Sequence, residues 1–232
     1  MRRRILSLSL LATCLATGLA RPSAAGPVLD QSHFVPAPAS LYAIVSTQSL
    51  AQTFTAGLAG QLAEVDMQLA KSAGATGDLT FTIRTTTNGL PNPDDGQSLY
   101  TQTIALSSLP TNDDPFTQVP LTAFDVSSAH INVTPGEVLA LALSRTGPGT
   151  PPWATWQSSS DLGSNAYSRG AQYQRSSSSS DWTLLTVGTV GQDAGFQTFV
   201  SSVPEPSTFA LGSIGAAGLA GYGWRKRRRA IA

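Results

Sequence analysis

The chain has 232 residues, one cysteine, and fourteen basic residues against fourteen acidic ones. That balance hides a partition, because nine of the fourteen cations lie before residue 26 or after residue 206, leaving Lys71, Arg84, Arg145, Arg169 and Arg175 against all fourteen acids between. A middle section with nine excess negative charges excludes nucleic acid as a partner, since that needs clustered cations, and Cys14 as the sole cysteine leaves it no disulfide or thiol chemistry. Low charge and abundant Ser, Thr, Gly and Gln indicate an extracellular β-protein, with chain enough for one well-covered core.

Arg2-Arg3-Arg4 forms a positive n-region, Ile5 to Ala12 begins an apolar stretch, and Ser23-Ala24-Ala25 offers small residues for cleavage before Gly26. Residues 1–25 are therefore expected to be a secretory signal peptide, with the secretion translocon and signal peptidase as partners. The residues after the arginines lack the rest of a twin-arginine signal. Leu11-Ala12-Thr13-Cys14 has the outline of a lipidation site, with Thr13 where Gly, Ala or Ser is usual. Residues 26–49 read as a leader and first-strand region, Val35 to Ser40 being a loose Pro-containing linker.

From 50 to 200 the period of the pattern is two. Ala63, Val65, Met67 and Leu69 alternate with Glu64, Asp66 and Gln68, so one side is apolar and the other wet. Leu62, Val65 and Leu69 also fit a helical face, and a helix over Gln61 to Lys71 stays open as the alternative. Leu79, Phe81 and Ile83 alternate with Thr80, Thr82 and Arg84, and Tyr100, Ile104 and Leu106 share a side. Val138 to Leu143 is continuously apolar, as in a strand covered on both faces. Phe196 to Val200 closes the series. Turn signals separate these runs at 73–77, 88–91, 92–96, 111–115 and 147–152. Short strands with frequent turns predict an all-β domain, a β-sandwich or jelly-roll-like fold.

Residue types that carry chemistry are sparse in this stretch. His33 and His130 are the two histidines, and no nucleophile elbow, phosphate loop or metal-ligand spacing accompanies them. No enzymatic activity is expected; an unrecognised hydrolase using His130 and one of the many serines is the minor alternative. Asp94-Asp95 and Asp113-Asp114 are paired acids in Pro-flanked turns, where Ca²⁺ is the one cofactor reading against that of solvated turn aspartates. Trp153, Trp156, Tyr167, Tyr173 and Trp182 cluster within thirty residues among Gln, Asn and Arg. They are candidates for stacking against a glycan, the competing reading being that the tryptophans pack the core. Ser176 to Ser180 reads as a flexible hairpin loop or an O-glycosylation site.

Residues 201–232 have another character. Val203-Pro204-Glu205-Pro206-Ser207-Thr208 precedes an uncharged run from Phe209 to Trp224, then Arg225-Lys226-Arg227-Arg228-Arg229. As a helix the run spans about 24 Å at about 1.5 Å per residue, slightly short of a ~30 Å bilayer core, so residues 208–224 are expected to be a single transmembrane helix. Its glycines are tolerated in lipid, Tyr222 and Trp224 sit at belt positions, and the five cations should stay cytoplasmic as a basic stop. This ordered tail resembles the PEP-CTERM sorting signal of bacterial exported proteins. The resemblance implies an exosortase partner that processes the tail, and a host that secretes exopolysaccharide. Gln52 to Gly57, Gly77-Asp78-Leu79-Thr80, Asn88-Gly89-Leu90-Pro91, Thr134-Pro135-Gly136-Glu137 and Asp181-Trp182 resemble the exported β-sandwich modules called choice-of-anchor domains. Together these readings predict an inner-membrane-anchored precursor that becomes a structural protein of the cell surface, outer envelope or exopolysaccharide matrix, with a carbohydrate-binding module as the alternative.

Overall fold

The computed structural model describes residues 26–93, 96, 98–145, 152–159 and 167–202. The expected signal peptide, Asp94-Asp95, and the sorting motif with the expected transmembrane run and basic stop from Val203 onward lie outside the described residues. Those that are described form strands β1 to β17 in chain order and short 3-10 turns at Leu106–Ser108 and Ser127–Ala129. The fold is all-β, as the alternating pattern predicts.

One sheet has the order β1 (Val28–His33), β17 (Phe196–Ser201), β4 (Gly60–Met67) and β10 (Asn132–Val133), with β9 (Thr122–Asp125) also paired to β4. A larger sheet runs β14 (Thr183–Leu184), β13 (Gln172–Ser176), β3 (Gln48–Thr55), β11 (Val138–Arg145) and β6 (Asp78–Thr87), where β7 (Leu90–Pro91) and β8 (Ser98–Ala105) both pair with β6. The two sheets face each other across a shared apolar core. Phe54 of β3 meets Phe196 of β17 at 6.1 Å between ring centroids, and Phe81 of β6 meets Phe124 of β9 at 5.6 Å. A small sheet of β2 (Ser40–Ile44), β12 (Ala154–Ser158) and β5 (Leu69–Lys71) contributes Ile44, Leu69, Ala154 and Trp156 to that core. The hairpin β15 (Thr186–Val187) and β16 (Val190–Gly191) stands apart in pairing.

Residues 61–71 are strand, not helix. Leu62, Val65 and Met67 join the main core, with Ala63 buried at a register shift between Leu62 and Glu64, while Glu64 and Asp66 stay partly exposed, and β4 is hydrogen-bonded on both edges. The unbroken apolar run of β11 also has a physical reason. Leu139, Leu141 and Leu143 point into the main core, whereas Ala142 joins Ala51 and Trp182, with Tyr173 alongside, in a second cluster on the outer side.

The chain passes from β4 into the small sheet at Gln68, which is fully buried. Its Oε1 accepts from the Val35 N–H at 2.8 Å, and its Nε2 donates to the carbonyls of Val35 and Val119, each at 3.0 Å. Gln157 adds a second fully buried amide, donating to the Val35 carbonyl at 3.2 Å and accepting from the Val119 N–H at 2.9 Å. The expected loose linker over Val35 to Ser40 is therefore corrected: Val35 is 2% exposed and gripped by two distant glutamines. Proline content suggested slack, but amide side chains far along the sequence satisfy this backbone, as buried polar groups require.

Candidate functional site

The five candidate aromatics do not share a surface. Trp156 is fully buried at the centre of β12, and its indole N–H donates to the Gly195 carbonyl at 3.0 Å. Tyr167 is buried against Phe196 at 5.1 Å between centroids, and its hydroxyl donates to Gln31 Oε1 at 3.0 Å. Burial pushes its phenol up to about 12. For these two the glycan-stacking assignment is corrected to core packing, since a ring without accessible face cannot take a sugar. Trp182 and Tyr173 lie on the outer side of the larger sheet, where the Arg175 guanidinium sits 4.8 Å from the Trp182 ring centroid. Trp182 is itself 7% exposed, so it too is covered. Trp182 edges a cleft of about 280 Å³ beside Pro91 and Pro93, while Trp153, half-buried just before β12, lines a larger one.

That cleft, of about 560 Å³, lies where the small sheet meets the loop 110–117. Trp153, Tyr42 and Thr155 line it from the strands, and Asn112, Asp113 and Pro115 from the loop. The loop is tied down at several points. Lys71 N–H donates to the Pro110 carbonyl at 2.9 Å, Asn112 N–H to the Lys71 carbonyl at 3.0 Å, and Ala39 N–H to the Pro115 carbonyl at 3.0 Å. The Asn112 amide braces the turn from inside, donating to the Thr117 carbonyl at 3.0 Å and accepting from the Asp114 N–H at 2.9 Å.

The paired acids of this loop serve different neighbours. Asp113 Oδ2 accepts from the Ala73 N–H at 2.9 Å, while Asp114 accepts from the Phe116 N–H and the Thr117 hydroxyl, each at 2.9 Å. They cap separate turn donors instead of converging on one point. His130, the proposed partner of a serine, has its Nδ1 at 2.6 Å from Gln61 Nε2 and holds a left-handed backbone with φ of 50°. The other histidine, His33, is buried beside Tyr167 at 6.0 Å between rings, and burial lowers its pKa.

A second polar locus lies inside the sandwich and gave no sequence signal. Asp193 is fully buried; its Oδ1 accepts from Gln52 Nε2 and its Oδ2 from the Tyr167 N–H, both at 3.2 Å. Burial raises its carboxyl to about 6, with those two hydrogen bonds opposing the rise. Gln172 pairs directly with Gln52 across β13 and β3, which places both side chains on one face. The Gln172 and Gln192 amides are fully buried and without partners among the described residues.

The C-terminal segment follows β17 directly. Residues 202–229 match the PEP-CTERM protein-sorting motif. The chain carries a PEP-CTERM tail. Its matched stretch takes in Val203, Pro204, Glu205, Pro206 and Ser207 and all five cations from Arg225 to Arg229. A PEP-CTERM tail marks an exosortase-targeted, envelope-sorted protein, exported as a membrane-anchored precursor and sorted to the cell surface. No curated protein matches the sequence.

Sequence reasoning found the PEP-CTERM tail because order and composition alone define it. It missed Tyr42, Asn112 and Thr155 as neighbours of Trp153, since they come from three separate stretches of chain. Asp113 stood out only as half of an acid pair.

Proposed function

We propose that the protein is a non-enzymatic structural component of the cell surface or extracellular matrix, associated with exopolysaccharide once its tail has been processed. The observation that carries this reading is the PEP-CTERM match at residues 202–229, joined to a domain in which thirteen acids stand against five cations. Removing the leader and the tail takes away nine of the chain's fourteen cations, so processing turns a formally neutral precursor into a strongly acidic protein. High net charge of one sign keeps a protein soluble and dispersed outside a cell. His130 and the buried Asp193 both have structural partners: Gln61 holds His130, and Gln52 and the Tyr167 backbone hold Asp193.

The test is fractionation of the producing cells with mass spectrometry of the mature C-terminus. The expected result is a surface or matrix species that has lost Arg225 to Arg229 and ends close to Pro204-Glu205-Pro206. Recovery of the intact chain, tail included, solely from the inner membrane refutes the proposal.

A further inference from the structure

We propose that the cleft between the small sheet and the loop 110–117 binds an uncharged saccharide unit, with Trp153 as the stacking plate and Asp113 as the hydroxyl acceptor. Sugars present an apolar C–H face and a rim of hydroxyls, so a site for one needs an accessible aromatic ring beside fixed hydrogen-bonding groups. Trp153 is the least buried of the three candidate tryptophans and lines this cleft, and its indole N–H has no partner among the described residues. The volume, about 560 Å³, falls within the ~300–1,000 Å³ usual for small-ligand sites.

The polar side of the cleft is preorganised, which reduces the ordering cost of binding. Asp113 is anchored through Oδ2 to the Ala73 N–H, and its Oδ1 has no partner among the described residues. An ionised acceptor makes stronger hydrogen bonds to a hydroxyl than a neutral one. Thr155 closes the cleft wall at 4% exposure, with its Oγ1 shielded from solvent.

Charge selects the class of sugar. The lining holds one carboxylate and no cation, within a domain of net negative charge. Uronate, sulfate or phosphate groups would be repelled there, so the occupant is a neutral hexose unit. This deepens the exopolysaccharide reading by giving it a site.

The test uses the full chain in detergent, titrated calorimetrically with neutral oligosaccharides (gluco-, manno- and galacto-series) and with acidic ones such as oligoalginate. Binding of at least one neutral series is expected, with affinity falling at least tenfold in Trp153→Ala and at least fivefold in Asp113→Asn. Asp113→Asn keeps an acceptor for the Ala73 N–H, so its thermal midpoint should hold while affinity falls. Trp153→Phe, which keeps a ring but loses the indole N–H, should fall between wild type and Trp153→Ala. No neutral series binding, equal binding of acidic oligomers, or affinity unchanged in both Asp113→Asn and Trp153→Phe overturns the proposal. Fractionation separates the two readings: a matrix protein that binds no sugar loses the cleft assignment alone, and a sugar binder retained in the inner membrane loses the matrix role alone.

Discussion

Substituting Asp193 with asparagine removes one buried negative charge and leaves its shape in place. Burial raises the carboxyl from 3.8 to about 6, so between those two pH values the folded protein holds a proton that the unfolded chain has already released. Stability from this group is fully present below about pH 3.8 and is lost as pH rises through about 6. Two pH units at about 1.36 kcal/mol each amount to about 3 kcal/mol, an order-of-magnitude figure. Asparagine, like the protonated carboxyl, offers one carbonyl acceptor, so Asp193→Asn should stay within about 1 kcal/mol of wild type at pH 4 and be more stable at pH 7.5, where the wild-type carboxylate is ionised in the core. Urea unfolding followed by tryptophan fluorescence, at half-unit pH steps, measures the difference. His33, whose lowered pKa gives stability that falls as pH drops below about 6.5, slopes the opposite way in both proteins and cancels. A wild-type-minus-variant difference that stays constant from pH 4 to 7.5 would refute the argument.

Gln68→Leu leaves the Val35 N–H and the Val35 and Val119 carbonyls short of a partner, for an expected loss of about 2–4 kcal/mol in urea titration; a loss below about 1 kcal/mol would show that Gln157 and Gln118 carry this corner. Gly195→Ala would place a methyl 1.8 Å from Gln68 Oε1. It should lower the unfolding midpoint sharply, and pairing it with Gln68→Ala should recover part of the loss; two independent losses that simply add would contradict the proposed clash. Trp156→Phe removes the hydrogen bond to Gly195 and part of a fully buried ring, which should cost about 2–3 kcal/mol without altering sugar binding at Trp153.

Legibility in the sequence followed the cause of each element. β4 was readable because one of its faces is buried and the other wet, and that asymmetry writes itself as Val65 and Met67 against Glu64 and Asp66. β11 was readable because both faces are covered, which demands an unbroken apolar run. The small sheet was not. β2 and β5 have five and three residues, too short for a period to show, and exist because they flank β12. The interior amides of Gln52, Gln68, Gln157 and Gln172 were unreadable for a different reason: composition assigns glutamine to the surface, and only partners remote in sequence bring it inside. The aromatic cluster misled because nearness along the chain is not nearness in space; β12 and β13 belong to different sheets, which carries Trp156 away from Tyr173 and Trp182. The cleft at Trp153 follows the same rule in reverse, since its walls come from residues about 40, 113 and 155.

β17, the last strand before the sorting tail, is not at an edge; it lies between β1 and β4 and is hydrogen-bonded to both. The chain is made from its N-terminal end, so in an exported precursor β1 and β4 are available well before their shared neighbour. Until residue 201 has followed, each has an unfilled side, and Phe54 lacks its partner Phe196. Completion of the domain thus waits for its last strand, and the matched sorting motif begins immediately after it. A chain stalled shortly before that point would present two open sheet edges to its neighbours.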